Sequence, residues 1–263
     1  MSRNSLSSIG LLALATTFAA GGAQAQAQAK PVKTTSASAD LGFVNAAGNS
    51  SVTAFNLGDK FVAQTQDKRL VFTQTFAMVY GRTDGEKSAE NYRAHLRLEH
   101  HLTDGLFVFG LTGWDRNVFA GIARRFEETV GLSWKPVALP QDELDFEAGL
   151  SLFQQRNTVA EPPGTFDNNY KAGRIGASYK HIFSKSAFAS QSVDFLPNFD
   201  DATDWRLNSE SALVAPISTA IGLKLAYVIR YDNLPGLKPA PNPTLERFAK
   251  TDRFFTAGIS ISY

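Results

Sequence analysis

The chain has 263 residues, with 26 Lys+Arg against 25 Asp+Glu, a formal net charge of +1, and no cysteine. That balance provides no field to attract nucleic acid, and without thiols neither a disulfide framework nor thiolate chemistry is available. Phe is plentiful (20, against 3 Trp and 7 Tyr) although mean hydropathy is slightly negative, -0.16; strands with one face in lipid and the other in water yield that combination.

Residues 1–25 read as a secretory signal peptide. Arg3 supplies the positive start, Ile9 to Ala20 the apolar stretch, and Ala23 with Ala25 a small-x-small cleavage site. The apolar stretch falls short of the roughly 20 residues a membrane-crossing helix needs. Residues 26–36, rich in Ala, Gln, Ser and Thr, are expected to form a disordered leader. The remainder, 37–263, is expected to be one domain.

Beyond the leader the sequence predicts strands at 38–46, 51–63, 69–80, 91–102, 105–115, 125–135, 142–153, 169–183, 187–197, 204–214, 220–231 and 251–263. Three of them alternate over their whole length. In 91–102, Tyr92, Ala94, Leu96, Leu98 and Leu102 oppose Arg93, His95, Arg97, Glu99 and His101. In 142–153, Leu144, Phe146, Ala148, Leu150 and Leu152 oppose Asp145, Glu147 and Ser151. In 220–231, Ile221, Leu223, Leu225, Tyr227, Ile229 and Tyr231 oppose Lys224 and Arg230. Such lengths match the roughly 9–11 residues of a tilted membrane-spanning strand rather than the 5–6 of a soluble sandwich. Segment 187–197 alternates poorly. In 169–183 the apolar parity moves from Tyr170 and Ala172 to Ile175, Ala177 and Tyr179, which predicts a β-bulge near Gly173.

The connections alternate in length, except that the first, around Gly48-Asn49, is short where a long one is expected. Those at 64–68, 103–104, 184–186 and 216–219 are tight and 136–141 is a little longer; 81–89, 117–124, 156–168, 198–203 and 232–250 are long. Short turns at one end and long loops at the other describe an outer-membrane barrel. Lipocalin-like barrels close with about eight strands, too few for this chain. The fold expected is therefore all-β, a transmembrane antiparallel up-and-down β-barrel of about twelve strands. Trp114, Trp134, Trp205, Tyr80, Tyr92, Tyr231 and Tyr263 fall near strand ends, where an interfacial aromatic girdle would sit.

The polar faces supply the candidate lumen residues: Arg93, His95, Arg97, Glu99, His101, Asp145, Glu147, Arg206, Glu210, Lys224 and Arg230, together with Glu127, Arg174 and Lys180. Their signs are mixed. Mutual salt-bridging that fills the interior is the simpler reading, since charges denied bulk water are usually paired; a narrow selective channel is the other. His95 and His101 share a face with Glu99, but alternate residues on a strand lie about 7 Å apart, long for shared metal coordination. No metal, cofactor or catalytic residue is expected. An outer-membrane lipid hydrolase would need a serine brought to the outward His100 from another strand, and the 232–250 loop could instead serve surface binding.

The end of the chain, Thr256, Gly258, Ile261 and the terminal Tyr263, resembles the carboxy-terminal assembly signal of outer-membrane β-barrels. Further motifs are Leu41-Gly42-Phe43 followed by Gly48-Asn49-Ser50-Ser51, Tyr179-Lys180-His181-Ile182-Phe183-Ser184, Tyr231-Asp232-Asn233-Leu234-Pro235 and Lys250-Thr251-Asp252. Through these the chain resembles the YdiY-like salt-induced outer-membrane protein family (domain of unknown function 481) over roughly 38–263. The resemblance implies a barrel in the bacterial outer membrane and supplies no catalytic residues. The partners it implies are outer-membrane lipids, the barrel assembly machinery and periplasmic chaperones, with a small solute or ion in the lumen and no nucleic acid.

Overall fold

The structure, a computed structural model, describes residues 34–46, 52–161, 164–184, 187–218, 220–239 and 246–262. The signal peptide and most of the leader lie outside them. Among the described residues are β1 (Thr35–Ala46), β2 (Val52–Gln64), β3 (Leu70–Thr83), β4 (Glu86–His101), β5 (Leu106–Asn117) and β6 (Ile122–Ala138). They continue with β7 (Asp142–Glu161), β8 (Thr165–Ile182), β9 (Phe188–Pro197), β10 (Trp205–Pro216), β11 (Ile221–Asp232) and β12 (Thr251–Ser262). Every strand pairs antiparallel with its chain neighbours, and β1 pairs β12, so the sheet closes into one barrel. Closure leaves no strand edge with unpaired amides, which permits a β structure in hydrocarbon.

The alternation of the sequence sets the two faces. Val130, Leu150 and Ile175 point outward and are 60%, 64% and 57% exposed, while Ser151 and Phe109, one position out of phase, are 2% and 1% exposed. An apolar outer belt with a polar interior reverses the arrangement of a water-soluble barrel and suits a lipid surround. Aromatic residues collect near the ends of the belt. Trp205 stacks on Tyr231 at 4.8 Å near the loop end, and Trp134 on Phe146 at 6.0 Å near the end that carries the termini.

Four expectations are corrected. Thr35 and Ser36, assigned to the leader, belong to β1 and pair with Ala63 and Val62. No bulge interrupts β8 at Gly173: β7 and β8 stay in register from Asp142↔His181 to Arg156↔Asp167. Tyr170 and Ala172 face inward on the same parity as Arg174, because Tyr170 stacks on Phe153 at 5.0 Å inside the barrel. Residues 81–89 are not a loop, since β3 and β4 continue past the belt to a two-residue turn at Asp84-Gly85 with φ of 52° and 84°. Positive φ at both central positions matches the twist of a tight hairpin, and Asp-Gly is the pair that tolerates it. Residues 156–168 likewise carry strand to Glu161 and from Thr165.

Candidate functional site

One side of the lumen is filled by a charged brace. Arg174 on β8 donates from Nε to Glu147 Oε1 (2.7 Å), from Nη1 to Glu127 Oε1 (3.2 Å) and from Nη2 to Asp194 Oδ1 (2.9 Å). Arg97 on β4 reaches across to Glu147 Oε2 (2.8 Å) and bonds Glu99 Oε1 (2.9 Å). Its guanidinium lies 3.9 Å from the centroid of the Phe109 ring. Thr129 Oγ1 completes Glu127 at 2.8 Å. Two arginines thus join carboxylates from four strands, and the fork of each guanidinium fixes the angle between them. Toward the end that carries the termini, Asp145 pairs with Lys135 at 3.4 Å and His101 sits edge-on to Phe107 at 4.1 Å.

The opposite side of the lumen is open. A cavity of about 670 Å³ runs from Ser184 and Ala220, at the turns of the end that carries the termini, to Asn91 and Arg230 toward the loop end. Its wall on β1, β2, β3, β11 and β12 is built from small residues such as Gly42, Gly58, Ala77, Gly222 and Ala226, so the space exists because those side chains are short. The charges on this wall are one-sided. Lys60, Arg93, Arg174, Lys180, Lys224 and Arg230 line it, against Asp40, Asp194 and Glu210; Asp59 belongs to the outer parity and is bonded by Gln74 Nε2 at 2.9 Å. Lys224 is paired with Asp40 and Arg174 with Asp194. The acidic members of the mixed lumen set are therefore gathered mainly in the brace, and the unpaired basic ones in the cavity.

Near the loop end, arginines crowd together. Arg125 Nε donates to Asp115 Oδ1 at 2.9 Å. Arg93 is the cross-strand partner of Asp115 on its other side, yet among the described residues it forms neither a hydrogen bond nor an ion pair. Among the described residues, Arg230 Nε, Arg206 Nη2 and Asn91 Nδ2 are buried donors without acceptors. Arg206, 6% exposed, instead lies over the Phe153 ring at 4.4 Å.

The described part of the β11–β12 connection, residues 233–239 and 246–250, forms a strap over this region. Leu237 is 3% exposed and bridges Arg247. Gly236 is packed so tightly against Gly121, in the β5–β6 connection, that a Cβ on Gly121 would lie 2.9 Å from its Cα. Arg247 forms a two-pronged pair with Glu161 of β7, and Asn117 Nδ2 of β5 donates to Asp252 Oδ2 of β12 at 3.2 Å. β5 and β12 are five strands apart in the ring of twelve, so these contacts cross the mouth.

His95 lines the cavity beside Gly113, and among the described residues no three metal-ligating side chains converge. His100 stands between Leu70 and Val108 in register. Thr256, Gly258 and Ile261 lie on β12 at the closing seam, where four residue pairs join β1, from Ser38↔Ser262 to Leu41↔Ile259. A Cβ at Gly258 would fall 2.1 Å from the Leu41 carbonyl oxygen, so only glycine admits that approach. Tyr263 lies outside the described residues.

Residues 39–259 match the family model described as "Protein of unknown function, DUF481". The chain belongs to this family. It is 28% identical over 165 residues to "Uncharacterized protein YdiY" of Escherichia coli (strain K12), a match spanning 63% of this chain and 62% of that protein, under two thirds of its length. Among solved structures it is similar to the NanC porin, with a TM-score of 0.48 and 12% identity over 86% of this chain and 98% of that one. It is also similar to an anion-selective porin from Comamonas acidovorans, with a TM-score of 0.42 and 8% identity over 88% and 99%. The barrel architecture of this chain rests on its own strand pairing.

Sequence reasoning missed the inward aromatics Phe107, Phe109, Phe153 and Tyr170. Phe107 and Phe109 alternate regularly, but two apolar faces on one strand leave no signal to say which is inside.

Proposed function

We propose that this chain is a bacterial outer-membrane protein that acts as a narrow, strap-gated conduit for small solutes. The observation that supports this reading best is the cavity of about 670 Å³ beside the brace. A barrel needed only as a wall could fill its whole lumen with side chains, as small barrels do. Here the brace stiffens one half while short residues keep the other half empty. With the signal peptide removed on export, the barrel assembly machinery and periplasmic chaperones would deliver it to the outer membrane. The end carrying both termini would face the periplasm and the strap the exterior.

The described part of 232–250 is committed to contacts across the mouth, which suits a gate better than an adhesion loop. A lipid hydrolase would need a serine beside His100, and Leu70 and Val108 occupy its cross-strand neighbours. The reading is therefore non-enzymatic. Liposome swelling with sugars of graded size tests it. Faster swelling is expected when residues 233–250 are replaced by a short Gly-Ser turn, with slow swelling for the intact chain. No swelling from either protein would exclude a conduit.

A further inference from the structure

The lumen as a whole carries the two signs in near balance, but the cavity wall carries a basic excess. After the Lys224–Asp40 and Arg174–Asp194 pairs are set aside, Lys60, Lys180, Arg93 and Arg230 remain on its wall with Glu210. Lys60 and Lys180 are near the end that carries the termini, each a few residues from the end of β2 and β8. Arg93 and Arg230 lie at the far end with Asn91, which is 6% exposed. Among the described residues, the buried Nε of Arg230 and Nδ2 of Asn91 have no acceptor. Of the carboxylates nearby, Asp115 is engaged by Arg125, Asp194 by Arg174 and Asp252 by Asn117, while Glu210 on the wall bonds neither arginine among the described residues.

Such an arrangement is costly when empty. A buried donor without an acceptor forfeits the water it gave up, and two guanidinium groups in one pocket repel. Folding for stability alone would favour a carboxylate bonded to Arg93, as it provides one for Arg97, Arg125 and Arg174. The missing acceptor is supplied if a solute brings it. Arginine and amide donors suit a planar oxyanion, and the space exceeds an inorganic ion, falling within the range of small-molecule pockets.

We propose that the deep end of the cavity, formed by Asn91, Arg93 and Arg230, binds a small organic acid through its carboxylate, with Lys60 and Lys180 drawing it in. This deepens the conduit reading by naming the class of solute, and it rests on that reading for its physiological meaning. Binding itself can be measured without a bilayer.

The test uses the purified barrel in detergent, with thermal unfolding followed by near-UV circular dichroism. Gluconate is the probe, and phosphate and chloride are compared at constant ionic strength. Gluconate is expected to raise the midpoint saturably and more than either inorganic anion. In Arg93→Gln/Arg230→Gln the apparent affinity should fall about tenfold or more, while the midpoint without gluconate stays at or above that of the parent. Arg156→Gln, which removes one positive charge on the exposed rim beside Asp167, should bind as the parent does. Equal shifts with chloride or phosphate would overturn the organic-acid site, as would undiminished binding by the double variant or a lower midpoint for it without gluconate. Loss of gluconate binding with swelling intact would remove this inference alone; gluconate binding without swelling would leave the site standing and remove the conduit.

Discussion

Arg247 of the strap donates to both carboxylate oxygens of Glu161, from Nη1 to Oε1 at 3.1 Å and from Nη2 to Oε2 at 3.0 Å, and from Nη1 to the Pro235 carbonyl at 2.7 Å. The first two bonds tie the β11–β12 connection to the rim of β7; the third ties the two limbs of the strap to each other. A flexible loop would not need both. The pair is partly exposed, 35% and 22% at the side chains, so it contributes no more than about 1 kcal/mol. That magnitude suits a gate: strong enough to favour closure, weak enough to be released.

Arg247→Ala should therefore raise the open population about fivefold, the factor that about 1 kcal/mol represents. Limited proteolysis within 233–250 should quicken by a similar factor. The reversed pair, Arg247→Glu with Glu161→Arg, should restore slow cleavage. Equal cleavage rates in all three proteins would mean the strap is held by something other than this pair.

The brace predicts a different consequence. Arg174→Ala removes one partner each from Glu147, Glu127 and Asp194, leaving Glu147 with Arg97. Breaking a buried pair from one side costs about 3–5 kcal/mol, and the lower end applies here because the lumen admits water. Urea unfolding in lipid vesicles should show a loss of about 3 kcal/mol. Arg93→Ala, which breaks no pair, should lose none. Similar losses for both would show that the two arginines do equivalent work.

At the closing seam, Gly258→Ala puts a methyl group on the Leu41 carbonyl. With four residue pairs joining β1 to β12 among the described residues, the strain has few neighbours to absorb it. Overpacking of this kind costs about 1–3 kcal/mol or more. The heat-modifiable, compact form on unboiled gels should be reduced or lost. Assembly equal to that of the parent would mean the seam is looser than its geometry indicates.

The outer belt yields a further test. Val130 and Leu150 are cross-strand partners on the lipid face. Val130→Arg should destabilise the protein by about 2–4 kcal/mol if this face lies near the bilayer midplane, and Ser218→Arg, at a turn, should be near neutral. Vesicle unfolding would separate the two, and equal effects would place Val130 outside the hydrocarbon.

The strands were legible because lipid on one side and water on the other impose a period of two on Leu96, Leu98, Leu150 and Leu152. Legibility failed where the interior is itself apolar. Tyr170 and Ala172 face inward onto Phe153, and their parity looked like a bulge because an inward aromatic has the same hydropathy as an outward one. It failed again past the belt, where residues 81–89 carry no alternation yet pair as strand. The mixed signs of the lumen residues could be read from the strands, but their separation into an acidic brace and a basic cavity could not. That separation depends on which strands face each other across twelve, as Arg97 faces Glu147 from β4 to β7. The strap is non-local for the same reason: nothing near Gly236 in sequence points to Gly121.

Single-channel recording in planar bilayers tests the central claim most directly. The intact chain should give rare, brief, small steps, and Arg247→Ala the same step size at about fivefold greater frequency. An absence of steps from both proteins, or steps unchanged in frequency by release of the strap, would contradict a conduit gated by the β11–β12 connection.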